Sequence, residues 1–310
     1  MPETAATDGL RHIVFFYRGT ADYRAAVANF VRAGLASKEP VLVAVPRPAT
    51  AIPDWPDGGS ALVTVTDIAE LGRNPARLIP ALRSFAHRHL GRRPRIITES
   101  VWPGRSAAEM REAARTEALI DRALDGLQAT LMCPYSTVGL PQAALADAAG
   151  AHQWQLDPDA VIPSPDYSGL AAVPAACRQP LADPPPGALV VSYRTDLRPV
   201  RAMVAEACVR AGLSAMRATD MTLAVSELAA NTLQHTRAGG VAQAWQCDGE
   251  LVCQVADSGF ISDPLAGLLP PPPDQPGGQG LWLVNKVCDL VEVRTDAAGT
   301  VIRLHMRMNR

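Results

Sequence analysis

The stretch SELAANTLQHT, residues 226–236, decides how the C-terminal half of this chain is read. It closes a longer periodic run, DMTLAVSELAANTLQHT (220–236), predicted as a helix capped by Asp220. Met221, Val225, Leu228, Ala229, Thr232 and Leu233 fall on one side of that helix; Glu227, Asn231, Gln234 and His235 fall on the other. A solvated helix face ordinarily mixes Lys, Arg and Glu in pairs. This one instead holds a carboxylate, carboxamides and an imidazole, groups that bind protons and metals.

Two signals follow downstream. In VADSGF (255–260), Asp257 ends an apolar strand before a turn through Gly259; by itself this is ordinary turn chemistry. With a ligand present, the carboxylate can accept from an exocyclic amine while the glycine lets backbone approach a flat ring. In PGGQGLWLVNKVCD (276–289), Gly277, Gly278 and Gly280 lead into a helix from Leu281. Exposed N–H groups at a helix start make an anion site suited to phosphate. Between the two lies ISDPLAGLLPPPPDQ (261–275), a connection long enough to be a lid.

The surrounding pattern predicts an α+β domain. ALVVSY is a strand, RPVRAMVAEACVRAGL a helix, and GVAQAWQC-DG-ELVCQVAD a hairpin turning at Asp248-Gly249. DLVEVRTDAAGTVIRLHMR supplies two more strands. Helices gathered first and antiparallel strands after predict a two-layer sandwich. Upstream, strands (HIVFFY, PVLVAVP, SALVTVT, PRIITES, ATLMCPY) alternate with amphipathic helices, which predicts a parallel sheet covered on both faces. The proline-dense stretch DPDAVIPSPDYSGLAAVPAACRQPLADPPPG marks a linker. The expected organisation is therefore an α/β domain over 1–155, a linker over 156–188 and an α+β domain over 189–310.

Composition bounds the function. The 310 residues are 48% hydrophobic and carry a formal net charge of -2, which excludes a broad basic nucleic-acid surface. The opening MPETAATDGLRH has no secretory pattern and no apolar run reaches membrane-spanning length, so a cytoplasmic protein is expected. Six scattered cysteines without a C-x-x-C pair argue against zinc or a disulfide framework.

Taken in order, E-x-x-x-N, D-x-G and G-x-G-L at a helix start resemble the Bergerat (GHKL, HATPase_c) ATP-binding superfamily. Within it the chain is similar to bacterial anti-sigma factor serine/threonine kinases, which also end in a GT-V-L strand; here that strand is AGTVIRL, with Thr300. The resemblance covers about residues 188 to 310 and implies ATP and Mg2+ as cofactors. It implies Asn231 as the Mg2+ ligand and Glu227 as general base, with Asp257 reading adenine and Thr300 nearby through water. Gly278 and Gly280 would hold the phosphates, Gly259 and Leu281 would also line the nucleotide site, and His235 would share the face. Many members carry D-x-G-x-G; Ile261 replaces the second glycine here, which weighs on turnover more than on binding.

The N-terminal half resembles the MEDS sensory domain, similar to a degenerate RecA/KaiC fold. Its first strand leads into YRGTAD rather than G-K-[ST], so no lysine can reach a phosphate. Ligands of parallel sheets sit outside the strand carboxyl ends. That edge offers Tyr17, Arg18, Glu99, Cys133 and Tyr135 as a candidate site for a small-molecule signal, and His12, expected ahead of the first strand, is read as structural.

The leading expectation is a signal-transduction regulator that phosphorylates a STAS-type antagonist, sequesters a sigma factor in its absence, and forms a homodimer as the resembling family often does. The alternatives are a non-catalytic ATP-gated binding module, a histidine-kinase-like sensor and a MutL-type ATPase. A histidine kinase is disfavoured because the proline-rich linker just upstream of the ATP domain offers no helix with a phosphoacceptor histidine.

Overall fold

The computed structural model describes residues 9–47, 61–158, 160–272 and 278–308. The chain divides into two compact units, Met1–Pro174 and Ala175–Arg310. Among the described residues, no helix is long and apolar enough to cross a membrane.

The first unit is built on a seven-stranded sheet: β1 (Arg11–Tyr17), β2 (Val41–Val45), β3 (Val63–Asp67), β4 (Arg95–Thr98), β5 (Thr130–Ser136), β6 (Trp154–Asp157) and β7 (Ala160–Pro163). The spatial order is β3-β2-β4-β5-β1-β6-β7. All pairings are parallel except the β6–β7 pair at the edge. Among the described residues its α-helices are α1 (Thr20–Ala36), α2 (Ile68–Leu71), α3 (Leu78–Arg88), α4 (Ala107–Ala123) and α5 (Gln142–Ala151). A reciprocal Ser106–Glu109 capping box starts α4.

Every residue of β2 is buried, as a strand covered on both faces must be. Strand alternation divides the side chains between two cores. Phe15, Ile97 and Met132 pack under Tyr23, Val27 and Val31 of α1. The residues between them, including His12 and Cys133, point to the face where Glu117 of α4 lies.

The second unit carries a five-stranded sheet in the order β11-β12-β10-β9-β8, antiparallel throughout. Its elements are β8 (Leu189–Tyr193), α6 (Arg198–Arg210), α7 (Ala215–His235), β9 (Gly240–Cys247), β10 (Glu250–Asp257), α8 (Gln279–Val287), β11 (Leu290–Asp296) and β12 (Gly299–Arg307). Met221, Val225 and Leu228 of α7 share one core with Leu251, Cys253, Val255, Ile302 and Leu304 of the sheet. Burial of each such side chain contributes roughly 1.5–3 kcal/mol, which fixes the rotation of α7 about its axis. The β9–β10 turn has positive φ at both Asp248 and Gly249, the conformation of a two-residue hairpin.

Three sequence expectations change. Helix α7 begins at Ala215, where the Ser214 hydroxyl accepts the Arg217 N–H, so Asp220 lies inside the helix rather than at its cap. The first unit runs on to Pro174: residues 160–163 form β7, although this stretch reads from its prolines as linker. His12 lies within β1 and not ahead of it.

Candidate functional site

In the second unit a cavity of about 350 Å3 opens between α7, the end of β10 and the start of α8. Asn231, His235, Asp257, Gly259, Gly278, Gly280, Leu281 and Thr300 all line it, alongside apolar walls from Leu228, Val255, Ile261 and Ile302. Glu227 stands beside it. A β-carbon placed on Gly280 would lie 3.0 Å from Glu227 Oε2 and 3.1 Å from Asn231 Nδ2, so all three converge at the N-terminal end of α8. Gly278 precedes that helix with φ +77°, a left-handed conformation that glycine adopts without strain. Gly277 lies outside the described residues.

Asp257 is held from two sides. Its Oδ1 accepts the Gly259 N–H at 2.7 Å, and its Oδ2 accepts the Thr232 hydroxyl at 2.6 Å. The Thr232 oxygen in turn accepts the Tyr193 hydroxyl at 3.0 Å. The helical pattern assigned Thr232 to the packing side, where it is indeed buried; that its hydroxyl reaches the carboxylate is a feature the pattern conceals.

Thr300 faces Asp257 across the β10–β12 ladder. Its hydroxyl donates to the Gly259 carbonyl at 2.9 Å and pairs with Thr295 at 2.8 Å, while Thr295 accepts the Ile261 N–H at 3.0 Å. This chain of bonds pins the turn over residues 259–261. The Ile261 N–H is thereby taken up, and its side chain packs against the core. Beyond it, Leu268 is buried, and the Asn285 amide donates to the Gly267 carbonyl at 3.0 Å. Gly267 has φ +73°, and a β-carbon there would meet Leu281 at 2.5 Å, so the segment over the cavity lies flush on α8.

The cavity fits a nucleotide on its own chemistry. A carboxylate sits among apolar walls at one end; at the other, an amide oxygen and a carboxylate, both hard oxygen donors, stand by a glycine-started helix. Filling that end with even one methyl group would crowd Glu227 and Asn231.

In the first unit the candidates separate. Tyr17 and Glu99 meet: the Tyr17 and Tyr23 hydroxyls each donate to Glu99, both at 3.1 Å. They line a cavity of about 350 Å3 with Thr20, Arg47, Trp102 and Pro103. Burial raises the Glu99 pKa to about 7, with the two tyrosine hydroxyls pulling the other way. Arg18 is exposed and does not line this cavity. Cys133 and Tyr135 are buried apart from it, on the opposite face of the sheet, because residues 131, 133 and 135 alternate against Met132. Tyr23, Trp102 and Arg47 were not singled out from sequence; each lies on a helix or loop with no motif to announce it.

The fold and cavities define a two-part molecule: a mostly parallel α/β unit with an acidic pocket at Glu99, then an α+β unit with a glycine-started helix terminus at its cavity. Residues 11–153 match the family model of the MEDS domain, the MEthanogen/methylotroph, DcmR Sensory domain, and residues 191–306 match that of the histidine kinase-like ATPase domain. The chain thus joins a MEDS domain to a histidine kinase-like ATPase domain. No curated protein matches it. Among solved structures it is similar to the RsbU and RsbW domains of Rv1364c from Mycobacterium tuberculosis, at 22% identity and a TM-score of 0.31. That likeness covers 41% of this chain and 34% of the other, about a third of its length.

Proposed function

We propose that the second unit binds Mg-ATP and transfers its terminal phosphoryl group to a serine or threonine of a partner protein, as an anti-sigma factor kinase does to a STAS-type antagonist. The observation that supports this most directly is the approach of Glu227 and Asn231 to the glycine-started terminus of α8. Bound Mg-ATP would supply an electrophilic phosphoryl group with its charge partly neutralised. The Asn231 amide oxygen would be the hard donor that holds the metal, and the N–H groups at the start of α8 would hold the phosphates. Glu227 takes the proton from the incoming hydroxyl. Asp257, held by Thr232 and Gly259, accepts from the purine amine. The MEDS unit receives a small-molecule signal at the Tyr17–Glu99 pocket, and the whole acts as a cytoplasmic regulator, as a homodimer.

A second reading has an observation of its own. Ile261 packs into the core and Asn285 fastens the covering segment, which suits a module that closes on nucleotide without turning it over. Purified chain incubated with γ-labelled ATP, Mg2+ and a panel of STAS proteins separates the two. Label on a STAS serine or threonine supports the kinase; nucleotide binding without label on any of them supports the gated module; absence of ATP binding overturns both.

A further inference from the structure

The opposite face of the first sheet holds a cluster that the preceding reading does not use. His12 of β1, Glu117 of α4, Cys133 of β5 and His152 at the end of α5 are all fully buried, with relative exposures of 0–1%. One ligand atom from each lies within 4.8 Å of every other. His12 Nε2 is 3.5 Å from Glu117 Oε2 and 3.5 Å from Cys133 Sγ, and His152 Nε2 is 3.5 Å from Glu117 Oε2. A tetrahedral ion with bonds of roughly 2.0–2.3 Å holds its ligand atoms about 3.3–3.8 Å apart, which matches these edges.

Outer partners orient three of these four side chains inward. Asp121 accepts from His12 Nδ1 at 3.0 Å, and the Ala148 carbonyl accepts from His152 Nδ1 at 2.7 Å. Each ring therefore carries its shared proton on Nδ1 and turns Nε2 toward the centre, the arrangement by which carboxylates and carbonyls prepare histidines as ligands. Ser100 donates to Glu117 Oε1. Glu117 Oε2 and His152 Nε2, both aimed inward, have no hydrogen-bond partner, a costly state for buried polar atoms.

We propose that His12, Glu117, Cys133 and His152 bind a four-coordinate divalent transition metal of the zinc class. Two neutral imidazoles, one carboxylate and one thiolate balance a 2+ charge, so the buried centre is neutral when filled. Four protein ligands leave no open position, so the ion ties β1, α4, β5 and α5 together and performs no hydrolysis. Scattered cysteines without a C-x-x-C pair had argued against zinc; here the ligands come singly, one from each of four elements.

The test uses the full chain, equilibrated with Zn2+ or Co2+, freed of loose metal and analysed by elemental mass spectrometry and visible absorption. Expected are about one ion per chain and, with Co2+, the intense bands of a tetrahedral site plus a thiolate-to-metal charge-transfer band. Cys133→Ser loses the charge-transfer band and retains at least about tenfold less metal, a change of roughly 1.4 kcal/mol or more in binding; Cys247→Ser, in the other unit, matches wild type. Should Cys133→Ser fail to fold, the charge-transfer band of the wild-type Co2+ form decides alone. Wild-type protein that retains no metal, or retains it without that band, overturns the proposal and leaves the cluster a buried proton-sharing network.

Discussion

Thr232 donates its hydroxyl hydrogen to Asp257 Oδ2 at 2.6 Å while accepting from Tyr193 at 3.0 Å, so three elements, β8, α7 and β10, meet at one carboxylate. Thr232→Val keeps the shape and removes the bond. A charged acceptor left without its donor costs about 1.5–3 kcal/mol. Nucleotide affinity is expected to fall about tenfold by calorimetry, with a lowered urea midpoint. Unchanged values on both counts would mean that Gly259 alone orients the carboxylate.

Gly280→Ala tests the cleft from its other end. The added β-carbon would press on Glu227 Oε2 at 3.0 Å and Asn231 Nδ2 at 3.1 Å. Both side chains can swing aside, so the fold survives while the site is disarranged. Loss of ATP binding with a thermal midpoint within a few degrees of wild type is the expected pair of results. Full retention of binding would place the phosphates elsewhere.

The two acidic-face residues of α7 have separable roles. Asn231→Ala removes the amide oxygen and is expected to abolish Mg2+-dependent ATP binding. Glu227→Gln keeps the volume and hydrogen-bonding reach yet cannot take a proton, so nucleotide stays bound while phosphoryl transfer drops by about 10²–10⁴-fold. Transfer at wild-type rate by the glutamine variant would remove Glu227 from the chemistry.

His305 gives the second unit a pH signature. Burial works against its charge, but the carboxylates of Glu250 and Glu292, 3.0 and 3.1 Å from its two ring nitrogens, outweigh that and raise its pKa to about 9. The folded value exceeds the ordinary 6.5. Its contribution is thus complete below pH 6.5 and is lost as pH rises through 9, in total roughly 3–4 kcal/mol. The stability difference between wild type and His305→Gln should shrink across that window in urea titrations. A difference that stays constant from pH 6 to pH 10 refutes the assignment.

How much of this was legible in the sequence follows from how local each signal is. The stripe Glu227–Asn231–His235 and the glycine-led start of α8 lie on single elements, and helical periodicity alone brings their residues together. Asp257 was readable as a strand end, but its tie to Thr232 was not, because one helix position can pack and bond at once. In the first unit the strands were plain, yet the shared edge hid the division of faces: Tyr17 and Glu99 go one way, Cys133 and Tyr135 the other. The His12–Glu117–Cys133–His152 cluster draws one residue from each of four elements, and no spacing rule joins positions that far apart. The β6–β7 pair was masked by its prolines, which an edge strand tolerates.

Strand β8 is the outermost of its sheet, bonded to β9 alone, and it is the first strand of the second unit. It nevertheless carries Tyr193, whose phenol is one hydroxyl removed from the acid at the mouth of the cavity. A displacement of this edge strand would therefore reach that acid through two hydrogen bonds, without passing through the core of the sheet.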